Sequence, residues 1–179
     1  MRLFLIRHPP PAVPPGTCYG ATDLPLIDDP AGHAAALRPL LPAGIPVYSS
    51  PLVRARLLAE ALHPAPLFDD RLREIDFGDW EMQPWDALDR RLLDAWAADP
   101  YHFVPPGGEA VAALRARVRD FLAGLSGDSV LVAHAGVIKV CAAELAGEAD
   151  WFALRFDYGR VSLIEAGRLV WTNRGNAVS

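Results

Sequence analysis

A chain of 179 residues, 51% hydrophobic and 22% charged, has the size and composition of one globular domain spanning residues 1–179. Its formal charge of −5 argues against general binding to nucleic acid or to a membrane surface, which needs clustered Lys and Arg. No apolar run is long enough to cross a bilayer, Leu3–Ile6 is too short for a signal peptide, and Cys18 and Cys141 lack metal-ligand spacing, so a reduced, cytoplasmic protein is expected.

Leu3-Phe4-Leu5-Ile6 is a short, continuous apolar run, the pattern of a strand covered on both faces. A Pro/Gly-rich loop follows from Pro9 to Pro30, and Ala31–Leu41 reads as a helix. Ile45–Tyr48 is a second strand; Ser49 or Ser50 can cap the helix expected near Pro51, which carries Arg54, Ala55, Leu58 and Leu62. Phe68–Gly78 reads as a connection. Trp85, Leu88, Leu92 and Trp96 fall at helical spacing, and the aromatic residues Trp80, Trp85 and Trp96 read as core. After the breaker Pro105-Pro106-Gly107-Gly108 comes a long amphipathic helix, Glu109–Leu125. Ser129–Ala133 is a third buried strand, and Val137–Leu145 a helix closed by Gly147. Val161–Glu165 and Arg168–Thr172 flank Ala166-Gly167 as a hairpin. Strands alternating with helices predict a three-layer α/β/α sandwich with a mostly parallel central sheet.

Three of these strands end in chemistry. The first ends in Arg7-His8, the second leads through Ser49-Ser50 to Arg54, and the third ends in His134. Open α/β sheets bind ligands beyond the carboxyl ends of their strands, so parallel neighbours would bring two arginines and two histidines to one mouth. Guanidinium forks match phosphate oxygens, and a neutral imidazole is a competent nucleophile near neutral pH. Such a group handles phosphoryl transfer by positioning and charge, with no metal and no cofactor expected. His33, His63 and His102 lie away from strand ends and read as surface residues.

The segments at these ends also carry a resemblance. Leu5-Ile6-Arg7-His8 is similar to the phosphohistidine motif of the histidine phosphatase superfamily, which includes the cofactor-dependent phosphoglycerate mutases. Tyr48-Ser49-Ser50-Pro51-Leu52-Val53-Arg54-Ala55 resembles the second motif of that superfamily, Leu72–Glu81 the segment of the general acid, and Val132-Ala133-His134-Ala135-Gly136 the motif of the second histidine. The four occur in the family's order as far as about residue 140. The resemblance implies a phosphoglycerate mutase-like fold and a phosphomonoesterase. In it His8 is the nucleophile, Arg7, Arg54 and His134 bind phosphate, and Glu74 is the general acid, with Asp76 its neighbouring competitor.

Three positions depart from the family pattern. Pro9 and Met82 each stand where Gly is usual, and Ala110 stands where Ser is usual. The loop Gly16–Leu26 resembles that of the α-ribazole phosphatases of cobalamin nucleotide-loop assembly. This implies a small-molecule substrate, α-ribazole 5′-phosphate, with Tyr19 and Cys18 as substrate-loop candidates; Tyr19 would stack on the base or pack the loop. The alternatives are a phosphoglycerate mutase, a phosphatase of broader specificity, and a non-catalytic phosphate-binding module.

Overall fold

Side-chain alternation along the first strand decides the layering. In β1 (Arg2–Arg7), Leu3 and Leu5 point into one apolar cluster and Phe4 and Ile6 into another, so both faces of the strand are buried. The computed structural model describes residues 1–175 and places β1 within a six-stranded sheet of order β3-β2-β4-β1-β5-β6. β4 (Ser129–Ala133) pairs in parallel with β1 and with β2 (Val47–Ser49), and β2 in turn with the short β3 (Leu67–Phe68). β5 (Val161–Glu165) and β6 (Arg168–Arg174) close the other side as an antiparallel hairpin. The sheet is mostly parallel, as expected.

Helices cover both faces. α1 (Pro30–Leu37) and α2 (Val53–Leu62) bury Ala34, Leu37, Ala55 and Leu58 against Phe4, Ile6, Val130 and Val132. α4 (Val111–Ala123) and α5 (Ala135–Ala146) bury Leu114, Val118, Val137 and Ile138 against Leu3, Leu5 and Leu131. Leu131 is fully buried at the centre of the sheet; truncating it to Ala would cost about 2–5 kcal/mol.

Several boundaries differ from expectation for identifiable reasons. The helix expected over Ala31–Leu41 ends at Leu37 and continues as a tight turn, Arg38–Leu40, because Pro39 cannot donate a helical hydrogen bond. The Trp85–Trp96 helix divides into a short turn, Trp85–Ala87, and α3 (Arg90–Ala98), since Asp89 caps the amide of Arg91 and starts a new helix. α2 begins at Val53, whose amide donates to Asp23 Oδ1 at 2.7 Å, so the carboxylate of the long loop caps it and neither serine does. Ala110 stands at the start of α4 and supplies no side-chain cap. His33, expected at the surface, is buried beneath Gly159, where an added Cβ would meet its ring at 2.7 Å.

Candidate active site

Register places the two histidines together. Arg7 lies opposite Ala133 in the β1–β4 ladder, so the next residue of each strand, His8 and His134, leaves the sheet at the same level. The alternation that buries Ile6 and Val132 on the α2 face points both imidazoles the same way, and their ring centroids lie 5.0 Å apart. β2 flanks β4 and delivers Ser50, then Arg54 in the first turn of α2. His8, His134 and Arg54 are all buried.

The tautomer of His8 follows from its partner. Nδ1 lies 2.7 Å from the carbonyl oxygen of Pro9, an atom that can only accept, so Nδ1 carries the proton. Nε2 then holds the lone pair and accepts from Arg54 Nε at 3.3 Å. The amide that Pro9 lacks takes no part in this; its carbonyl does. Burial first, then the charges of Arg54 and Arg7, hold His8 well below the ordinary histidine pKa. His134 is lowered well below its usual range by burial, then by His8 and the surrounding arginines. Its Nε2 lies 2.8 Å from Ser50 Oγ, while its buried Nδ1 has no protein partner.

Arg54 is locked from the other side. It donates to the carbonyls of Thr22, at 2.7 Å, and Gly20, at 2.5 Å. Those carbonyls are fixed by Glu81, whose carboxylate accepts from the amides of Gly20, Ala21, Thr22 and Phe77 and from the Thr22 hydroxyl. Burial pushes the Glu81 carboxyl up, but these hydrogen bonds outweigh it and hold the pKa below the ordinary value. Arg7 points to the opposite side of β1, donates to the Phe156 carbonyl at 2.7 Å and lies flat against the ring of Tyr158. The Tyr158 hydroxyl is hydrogen-bonded to that of Tyr19.

Glu74 reaches the site from the segment before α3. Its carboxylate accepts from the amides of Ile75 and Gly136, both at 3.0 Å, the second in the first turn of α5. A Cβ on Gly136 would stand 2.3 Å from Glu74 Oε1, so the approach depends on glycine there. Arg7, His8, Arg54, Glu74, Tyr19 and Tyr158, together with Thr17 and Trp85, line one cavity of about 230 Å³. A guanidinium pair, an imidazole whose Nε2 lone pair accepts only from Arg54, a carboxylate and, behind them, the unpaired Nδ1 of His134 suit a tetrahedral dianion and its transfer.

Three sequence candidates stay outside the lining: His134 is buried behind His8 and does not border the cavity, and Cys18 and Asp76 lie further off. Cys18 is fully buried against Trp80 and Leu88, with its thiol pushed up to about 12 by burial, and does not line the cavity between its neighbours Thr17 and Tyr19. Asp76 accepts from the Gly78 amide at 2.8 Å and does not border the phosphoryl-sized cavity. Trp80 is core, as expected, whereas Trp85 and Trp96 are half-buried and each lines a cavity. Tyr158 was not found in the sequence: it sits between α5 and β5 in a segment without apolar periodicity or motif. Among the described residues no group of His, Cys, Asp and Glu is arranged to hold a metal ion, and no helix is long and apolar enough to cross a membrane.

Residues 3–177 match the family model described as Histidine phosphatase superfamily (branch 1). The chain is 34% identical over 161 residues to the adenosylcobalamin/alpha-ribazole phosphatase of Salmonella typhimurium, covering 81% of this chain and 79% of that one. A structure from Escherichia coli K-12, provisionally described as an alpha-ribazole-5′-P phosphatase, superposes with a TM-score of 0.85 at 31% identity, covering 97% and 96% of the two chains. The phosphoglycerate mutase of Thermus thermophilus superposes with a TM-score of 0.80 at 34% identity over 100% of both. Matched over nearly its whole length, with Arg7, His8, Arg54 and Glu74 on one cavity and His134 packed against His8, the chain belongs to the histidine phosphatase superfamily and is a phosphatase.

Proposed function

We propose that this phosphatase hydrolyses a small phosphomonoester through a phosphohistidine on His8 Nε2, with α-ribazole 5′-phosphate as its preferred substrate. The observation that carries the mechanism is the hydrogen bond from His8 Nδ1 to the Pro9 carbonyl, which leaves Nε2 as the nucleophilic atom facing Arg54. The Nε2 lone pair forms the N–P bond as the ester P–O bond breaks. Glu74 delivers the proton that the departing alkoxide takes. Arg7, Arg54 and the unpaired Nδ1 of His134 hold the phosphoryl oxygens. Water then attacks phosphorus, giving its proton to the Glu74 carboxylate, and the P–N bond breaks to return the imidazole and inorganic phosphate.

The substrate is supported by the relative from Salmonella typhimurium and by the loop Gly16–Leu26, which brings Thr17 and Tyr19 to the cavity. A mutase reading draws on the Thermus thermophilus neighbour, and phosphoryl return to a second hydroxyl would be its mark. The test is phosphate release from α-ribazole 5′-phosphate, 3-phosphoglycerate and an aryl phosphate by purified protein without added metal. A preference for the first that disappears in His8→Ala, with an acid-labile protein-bound phosphate in rapid-quench samples, is expected. Equal turnover in the variant would overturn the mechanism, and activity on the aryl phosphate alone would overturn the substrate.

A further inference from the structure

Glu74 works from an irregular stretch of chain. It lies between two short turns, Asp70–Leu72 and Gly78–Trp80, and belongs to no helix or strand. A carboxyl that must meet a leaving oxygen needs a fixed backbone, and the carbonyls of such a stretch must find partners outside it. One side chain supplies three of them. Arg117, on α4, donates to the carbonyls of Arg71 at 2.7 Å, Arg73 at 2.6 Å and Glu74 at 3.1 Å.

The rest of that guanidinium goes to Glu109, from Nε to Oε1 at 2.8 Å and from Nη2 to Oε2 at 2.9 Å. A guanidinium carries five N–H donors, so all five are engaged. Glu109 in turn brackets Asp76. Its amide donates to the Asp76 carbonyl at 2.7 Å, and its Oε2 accepts from the Asp76 amide at 3.4 Å. Gly108 permits this approach, since a Cβ there would stand 2.6 Å from the Asp76 carbonyl oxygen. Leu114 and Val118, buried on either side of Arg117 in the chain, moor its helix in the core. The pair is a brace across residues 71–76, with Glu74 in its span.

Its place separates it from the phosphate-binding groups. Arg117 and Glu109 line a polar cavity of about 400 Å³ that Glu74 also borders, and neither lines the phosphoryl cavity. With every donor engaged and its charge met by a bidentate carboxylate, Arg117 has nothing to offer an anion.

We infer that Arg117 is a positioning residue for the reaction: braced by Glu109, it fixes the backbone of Glu74 so that the carboxyl stands at the leaving oxygen, and it acts on turnover through Glu74 alone. The inference rests on the reading of Glu74 as the general acid and names the residues by which the fold sets its place.

The test is a double-mutant cycle read in kcat/KM, which reports phosphorylation of the enzyme, on the better alkyl ester of the panel above and on 4-nitrophenyl phosphate. Arg117→Met should lower the value for the alkyl ester about 30-fold, as expected for a displaced catalytic group, and that for the aryl ester less than threefold. Competitive inhibition by inorganic phosphate should stay within twofold of the parent, because Arg7, His8 and Arg54 are untouched. Arg117→Lys keeps the charge, but one ammonium cannot span three carbonyls and a carboxylate, so it should not rescue the alkyl ester. In a Glu74→Ala background, Arg117→Met should cost less than a further twofold, since no acid remains to be placed. Should Arg117→Met fail to fold, as circular dichroism and urea midpoints would reveal, Arg117→Lys and Glu109→Gln carry the same comparison. Equal losses on both esters, unchanged turnover of the alkyl ester, or losses that multiply in the double variant would overturn the positioning role while leaving Glu74 as the acid. Equal losses on both esters in Glu74→Ala itself would instead remove the acid reading, and this inference with it.

Discussion

The guanidinium carbon of Arg7 lies 3.6 Å from the centre of the Tyr158 ring, and the hydroxyl of that ring is hydrogen-bonded to Tyr19. Arg7 thus has an aromatic floor, and the floor is pinned to the loop on the far side of the cavity. Tyr158→Leu removes both and is expected to raise KM for a phosphomonoester about tenfold, as a stacked, partly desolvated cation contact of ~1–2 kcal/mol is lost. Tyr158→Phe keeps the stack and should stay within threefold of the parent. Steady-state kinetics and competitive inhibition by inorganic phosphate check both; equal losses in the two variants would place the effect in the hydroxyl pair.

Glu74 and Gly136 form a second such relationship. Gly136→Ala puts a methyl group where Glu74 Oε1 now stands, so the carboxylate must move although the acid itself is retained. Glu74→Ala should cost roughly 10²–10⁴-fold on an alkyl ester and much less on an activated aryl phosphate, whose leaving group needs little protonation. Gly136→Ala should show the same pattern more weakly. Equal losses on both esters would count against Glu74 as the acid.

The lowered pKa values of His8 and His134 have a consequence for stability. In the unfolded chain each titrates near the ordinary histidine value, about 6.5. The folded protein binds those protons less readily, so the unfolded state gains protons first as the pH falls. Stability should therefore be level above about pH 7 and drop below about pH 6.5, by up to about 1.4 kcal/mol per pH unit for each histidine, until the folded-state pKa is passed. His33, lowered by burial, adds to the same window. Urea midpoints at pH 7.5, 6.5 and 5.5 measure this. His134→Gln should flatten the slope, and a parent midpoint that does not change across the series would contradict the buried neutral imidazoles.

Met82 adopts φ 64°, a left-handed backbone conformation that a side chain disfavours and glycine does not. Its amide donates to the Cys18 carbonyl and its side chain is largely exposed, so little packing is lost on removal. Met82→Gly relieves about 1–2 kcal/mol of backbone strain, offset by the ~0.4–1 kcal/mol of freedom the unfolded chain regains. A net gain of roughly 0.5–1 kcal/mol is expected in denaturant unfolding. Unchanged or lower stability would mean that the methionine side chain packs more than its exposure implies.

Much of this site was legible in the sequence because its signals are local. Short apolar runs ending in Arg7-His8, Ser49-Ser50 and Ala133-His134 mark buried strands and the polar residues at their carboxyl ends, and the parallel pairing of β1, β4 and β2 brings those ends together. The residues that were missed act through partners far along the chain. Tyr158 matters through Arg7, some 150 residues earlier, and the five hydrogen bonds to Glu81 come from a loop about sixty residues upstream and from Phe77. His33 was misplaced because burial by Gly159 is a tertiary event with no trace in the Ala-rich pattern around it. Helix ends erred where a single residue, Pro39 or Asp89, overrode apolar spacing.

Among the described residues neither Arg7 nor Arg54 forms a salt bridge, although Arg54 is wholly buried and the chain carries a net −5. Carbonyl oxygens and an imidazole, all neutral, stand where counter-ions would ordinarily be. The fold therefore bears a standing electrostatic debt that a bound oxyanion cancels. Folding and anion affinity are then one linked equilibrium: a tetrahedral oxyanion at a hundred times its Kd should raise stability by about 2.7 kcal/mol, and vanadate or phosphate would serve as a folding aid for weakened variants as much as an inhibitor.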